Sequence, residues 1–130
     1  MAQIPIHLVS DSTGETVTLV ARACLVQFDH LETEEHLWSL VRSAEKVNEI
    51  LTTVEEQGGI IIYTLVDQNI RHLLEEGCVS LQIPCIPVLD PIINALGQFL
   101  GTESHSRPGS QHVMNAEYFG RIKAMEFALS

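Results

Sequence analysis

Residues 60–66 read Ile-Ile-Ile-Tyr-Thr-Leu-Val. This run is apolar nearly throughout, as a strand covered on both faces must be. Gly58-Gly59 precede it and suit the left-handed backbone just past a helix. Asp67 follows and can cap the next helix. A buried strand between two helices is the core of a βα-repeat domain with a parallel sheet.

Working back toward the N-terminus, Ala44, Val47, Ile50, Leu51 and Val54 share one helical face, and Ser43 can cap that helix. Residues 36–41, His-Leu-Trp-Ser-Leu-Val, read as a strand. Before them a helix is expected over 14–28, with Val17, Val20, Ala21, Cys24 and Phe28 inward. Ile4 to Val9 forms the first strand. Toward the C-terminus, Ile70, Leu73 and Leu74 face inward from a short helix. A fourth strand covers about 84–88, edged by Pro84 and Pro87. Asp90-Pro91 then pairs an N-cap carboxylate with a proline at the first helical position. Residues 101–113 read as a polar loop. A last helix over 115–129 places Tyr118, Ile122, Met125 and Leu129 on one face. The order βαβαβαβ plus two helices predicts an α/β, Rossmann-like or flavodoxin-like three-layer domain. Its parallel sheet should have about four strands, ordered around the first and third.

The 130 residues suffice for one domain. Seven Lys+Arg against 17 Asp+Glu give a net charge of −10, which repels phosphate backbones and excludes nucleic acid as a partner. No apolar run is long enough to span a bilayer, and no signal peptide is legible, so a cytoplasmic protein is expected. The three cysteines, Cys24, Cys78 and Cys85, fit neither a disulfide framework nor a zinc knuckle and read as small buried hydrophobes. No metal site is expected. Arg42 and Arg71 read as solvated surface charges.

Three stretches could carry chemistry. Ser10, Asp11, Ser12, Thr13, Gly14, Glu15 and Thr16 lie between the first strand and first helix, where open α/β sheets bind ligands. Their hydroxyls and the helix N-terminus could hold an anion, with Asp11 and Glu15 repelling it or holding a metal alongside. An ordinary turn capped by Ser12 or Thr13 fits equally. There is no Walker A pattern. The second stretch holds Arg107, His112, Asn115 and Arg121, which form either a phosphate-binding group or a connector with a capped helix. The third is Thr64 to Asn69, where Asp67 reads mainly as a helix cap. No catalytic base is legible.

The motifs His7-Leu-Val-Ser-Asp-Ser-Thr-Gly-Glu-Thr16, Val20-Ala-Arg-Ala23 and Gln27-Phe28 resemble the opening of the pyruvate, phosphate dikinase regulatory proteins. Tyr63-Thr-Leu-Val-Asp67, Ile83-Pro-Cys85 with Leu89 and Pro91, and Arg107-Pro-Gly109 with His112 are similar to later segments of that family. Met114-Asn-Ala-Glu-Tyr-Phe119, Arg121-Ile122 and Glu126-Phe-Ala128 complete the resemblance. It implies a bifunctional serine/threonine kinase and pyrophosphorylase. Such an enzyme inactivates the dikinase by ADP-dependent threonine phosphorylation. It reactivates the dikinase with inorganic phosphate, releasing pyrophosphate. It also implies that residues 1–130 are the N-terminal domain of a longer chain, whose phosphate-loop domain lies beyond them. The fragment alone should then be inactive and carry no cofactor. Its expected partners are the dikinase and its own C-terminal domain, with homo-oligomerisation left open. The alternatives are a non-catalytic anion- or small-ligand-binding module, or a regulator of phosphoenolpyruvate synthase.

Overall fold

The structure is a computed structural model that describes residues 3–102. The expected helix over 115–129 lies outside the described residues, as do Arg107, His112, Asn115 and Arg121.

Eight elements alternate: β1 (Ile4–Ser10), α1 (Glu15–Leu25), β2 (Thr33–Trp38), α2 (Ala44–Gln57), β3 (Ile60–Thr64), α3 (Gln68–Leu81), β4 (Cys85–Pro87) and α4 (Asp90–Leu100). The strands form one parallel sheet in the order β2-β1-β3-β4. The first and third strands are thus central, as the alternating pattern predicts. Their side chains split the core in two. Ile6 and Leu8 of β1 pack with Val17 and Ala21 of α1. Val9, Ile61 and Tyr63 point the other way and pack with Val47, Ile50 and Val54 of α2 and Leu74 of α3. Helices therefore cover both faces.

Local chemistry sets most element ends. The Ser43 hydroxyl accepts from the Lys46 N–H at 3.2 Å and starts α2. The Asp67 carboxylate accepts from the Asn69 and Ile70 N–H groups at 3.0 and 3.1 Å and starts α3. Gly58, at φ +78°, ends α2.

Several boundaries and environments differ from the sequence reading. The helix read as short is α3, 14 residues long, and it buries Ile70 and Leu74 but leaves Leu73 41% exposed, because Leu73 falls off the buried face. The second strand runs Thr33–Trp38 and not 36–41. It is an edge strand whose polar residues face water, so its first half carries no apolar signal. Leu40 at φ +54° ends it, and only Val41 turns back into the core. Helix α1 stops at Leu25, and its buried row contains Val17 and Ala21, leaving Phe28 64% exposed. Cys24 falls off that row and is exposed, so it is not a buried thiol. Finally, the N-cap of α4 is Leu89 and not Asp90. The Asp90 side chain is drawn to Arg71 instead.

A polar cluster sits within the sheet's α2 side. His7 is fully buried, and its Nδ1 accepts from the Trp38 indole N–H at 3.2 Å. The His36 ring stacks on it at 4.8 Å. Burial, and secondarily the His36 ring, hold the His7 pKa below its ordinary value, against smaller opposing effects of the Gly58 backbone and Glu34. The unfolded chain therefore binds a proton at His7 more readily than the folded one. Stability should be full above the ordinary histidine pKa and fall as pH drops through it toward the lowered folded value. His7→Asn keeps an acceptor for Trp38 and cannot titrate. Urea unfolding between pH 8 and pH 5 should show a shallower acid loss in this variant, and equal slopes in the two proteins would count against the assignment.

Candidate functional site

The carboxyl ends of β1, β2 and β3 meet at one edge of the sheet. There the loop after β1 is stitched to both neighbours. The Val41 N–H donates to the Ser10 carbonyl at 2.9 Å, and the Leu40 N–H to the Ser12 carbonyl at 2.8 Å. The Ser10 hydroxyl accepts from the Ser12 N–H at 3.0 Å. Asp11 is fully buried, and its Oδ2 accepts from the Val66 N–H at 2.8 Å. Ser10 and Asp11 thus belong to the framework of the loop. Thr13 and Glu15 face solvent, and Thr16 is half-buried.

Neither Ser12 nor Thr13 caps α1. The N-cap is Gly14 at φ +91°, with no side-chain cap. This left-handed conformation strains any residue with a Cβ. A methyl group there would also meet Leu37 Cδ1 at 2.5 Å. The capped-turn alternative therefore does not describe this loop.

Arg42 is the cation beside the loop. Its Nε donates to the Asp11 carbonyl at 2.8 Å, which fixes the guanidinium on the loop backbone. Its two Nη nitrogens form no hydrogen bond with the described residues. Arg42 is exposed, as a solvated surface charge should be, but that reading did not foresee this contact. The signal was available: Arg42 directly follows residues 36–41, the stretch read as the second strand, at the edge where open sheets bind ligands.

Arg71, by contrast, is not a solvated charge. Its side chain is only 16% exposed. Nη1 donates to Asp90 Oδ1 at 2.8 Å, Nη2 bonds Asp90 Oδ2, and Nε donates to Glu75 Oε1 at 3.3 Å. The Tyr63 hydroxyl also donates to Glu75 Oε1, at 2.8 Å, and the guanidinium lies over the Tyr63 ring. Asp90, more than any other neighbour, raises the Arg71 pKa, while burial and then Glu75 raise that of Tyr63. This clamp forms one wall of a cleft of about 230 Å³ at the ends of β3 and β4. The hydroxyl of Thr64, one of the residues lining the cleft, and Asp11 Oδ1 are buried without a hydrogen-bond partner among the described residues. Among those residues, no three His, Cys, Asp or Glu side chains gather as metal ligands, and no helix is long and apolar enough to cross a membrane.

The family model for kinase/pyrophosphorylase proteins matches residues 6–130, from the middle of β1 through the whole loop edge. The chain belongs to the kinase/pyrophosphorylase family. It is 50% identical over 130 residues to a protein of Paramagnetospirillum magneticum named as a pyruvate, phosphate dikinase regulatory protein; the match covers 100% of this chain and 42% of the relative. A Rhodospirillum rubrum protein of the same name is 44% identical over 125 residues, 96% of this chain and 46% of that one. A third, from Rhizorhabdus wittichii, is 42% identical over 130 residues, 100% of this chain and 47% of its own length. The chain therefore spans less than half the length of these curated relatives.

Proposed function

We propose that this domain serves a bifunctional regulator of pyruvate, phosphate dikinase and binds an anionic group of the substrate at the loop after β1. In this reading the whole protein phosphorylates a threonine of the dikinase from ADP and removes the group with inorganic phosphate, in the cytoplasm. Family membership and the relatives' names support the reaction class and the target. The observation that carries the local role is Arg42. Its Nε is spent on the Asp11 carbonyl, so its position is set before any ligand arrives. Its two Nη nitrogens, unbonded among the described residues, can grip a phosphate or carboxylate in a planar fork. Ser12 and Thr13 lie on the same loop and Thr16 in the first turn of α1, so three hydroxyl-bearing residues stand at this edge. Arg107, His112, Asn115 and Arg121 are further candidates on sequence grounds.

The test uses the full-length protein. Arg42→Ala should lower kcat/KM for both directions by about ten- to a hundredfold, the scale of one or two charge-assisted hydrogen bonds at about 1.5–3 kcal/mol. Unfolding free energy should fall by only about 1 kcal/mol, for the lost bond to Asp11. Unchanged activity in Arg42→Ala, Ser12→Ala and Thr13→Ala, all folded, would leave this edge as a structural turn.

A further inference from the structure

The two cysteines on the α2 and α3 side of the sheet are neighbours in space. Helix α3 ends at Leu81, and Gln82 takes the left-handed conformation at φ +59°. The Ile83 N–H then donates to the Cys78 carbonyl at 2.8 Å, which folds the chain back over the helix end. Strand β4 consequently begins with Cys85 alongside Cys78. Cys78 is 1% exposed within the larger core cluster, and Cys85 is half-buried against that cluster. Both line one open cavity of about 370 Å³, together with Tyr63, Arg71 and Glu75. Cys24, the third thiol, lies on α1, across the sheet.

We propose that Cys78 and Cys85 are a redox modification site, closed to a reversible intrachain disulfide by a small peroxide that enters this cavity. The two neighbouring thiols divide the roles: the Cys85 thiol favours the thiolate at Cys78, whereas the Cys78 thiol and then burial disfavour it at Cys85. The Cys78 thiolate attacks one peroxide oxygen. The O–O bond breaks, and the leaving hydroxide takes a proton and departs as water. Cys78 is then a sulfenic acid. The Cys85 sulfur attacks it, the S–O bond breaks, and the Cys85 proton leaves with that oxygen as a second water. In total, two thiols lose two hydrogens and two electrons, and one peroxide becomes two waters. The bond ties the last turn of α3 to β4. Arg71 lies earlier on that helix, is braced by Glu75 and holds Asp90 at the start of α4, so the clamp beside the β3–β4 cleft is joined to the redox state of the pair.

The purified protein, folded and at neutral pH, is exposed to hydrogen peroxide, alkylated, cleaved at Leu81 with chymotrypsin and read by mass spectrometry. The peptides carrying Cys78 and Cys85 should appear joined, short of two hydrogens, and separate again after dithiothreitol. Cys85→Ser should lose the joined species and leave Cys78 as a sulfenic acid that reacts with dimedone. The wild-type measurement stands alone if that variant does not fold. Both thiols alkylated as before, while Cys24 alone is oxidised, would overturn the proposal. So would a joined species that forms only in denaturant.

Discussion

Gly59→Ala is expected to destabilise the domain by about 3–5 kcal/mol, combining strain at a positive φ with a clash that cannot relax. Gly59 sits at φ +109° immediately before β3. Ile60 is paired with Ile6, so Gly59 lies against Pro5 of β1. An alanine Cβ would stand 2.9 Å from Pro5 Cβ and 3.0 Å from the Pro5 carbonyl carbon, and nearer still to its oxygen. These are atoms of the neighbouring strand's backbone and ring. No side-chain rotation moves them, and shifting the strand would disturb the pairing of β1 with both β2 and β3. Gly58→Ala is the control. Gly58 also has a positive φ, +78°, but a Cβ there meets nothing within 4 Å. It should cost only the strain, about 1–3 kcal/mol. Urea unfolding with an unchanged m-value should therefore place Gly59→Ala clearly below Gly58→Ala. Equal midpoints would mean that the approach of β3 to β1 is looser than described.

The central fold was legible because its signals are local or periodic. The apolar run before Asp67 marks a strand covered on both faces, and alternating strands and helices imply a parallel sheet. The caps at Ser43 and Asp67 need only neighbours two or three residues away. What escaped the sequence depends on distant partners. Thr33 to His36 are polar because β2 is an edge. Asp11 looked like a carboxylate at a ligand's door. It is buried, and its Oδ2 accepts from the Val66 N–H, 55 residues further on. Asp90 has the residue type of an N-cap and the position of an ion-pair partner, and the guanidinium of Arg71, 19 residues away, wins. The candidate site divides in the same way. Its location follows from the strand order, whereas the anchoring of Arg42 across 31 residues does not.

Arg71→Met should lower stability by about 2 kcal/mol. Methionine retains much of the apolar stem, so lost packing contributes little. The cost comes from what remains. Asp90 and Glu75 lose their shared cation, and the ring of Tyr63 loses the guanidinium stacked upon it. Removing one partner of a fully buried pair costs about 3–5 kcal/mol. Here the Asp90 and Glu75 side chains are 28% and 43% exposed, so water compensates part of the loss and the smaller figure follows. Arg71→Lys should fall between the two, since an ammonium cannot serve Asp90 with two nitrogens while bonding Glu75 with a third. A double-mutant cycle of Arg71→Met with Asp90→Asn should give a coupling near 1 kcal/mol or above. A change within about 0.5 kcal/mol for Arg71→Met, with no coupling, would restore Arg71 to a solvated surface charge. The contrast with Arg42 is functional. Arg71 has its nitrogens committed to the protein's own carboxylates, so its loss should appear in unfolding and leave substrate KM nearly unchanged. Arg42 has one nitrogen committed and two without a hydrogen bond among the described residues, so its loss should appear in kcat/KM and hardly in unfolding.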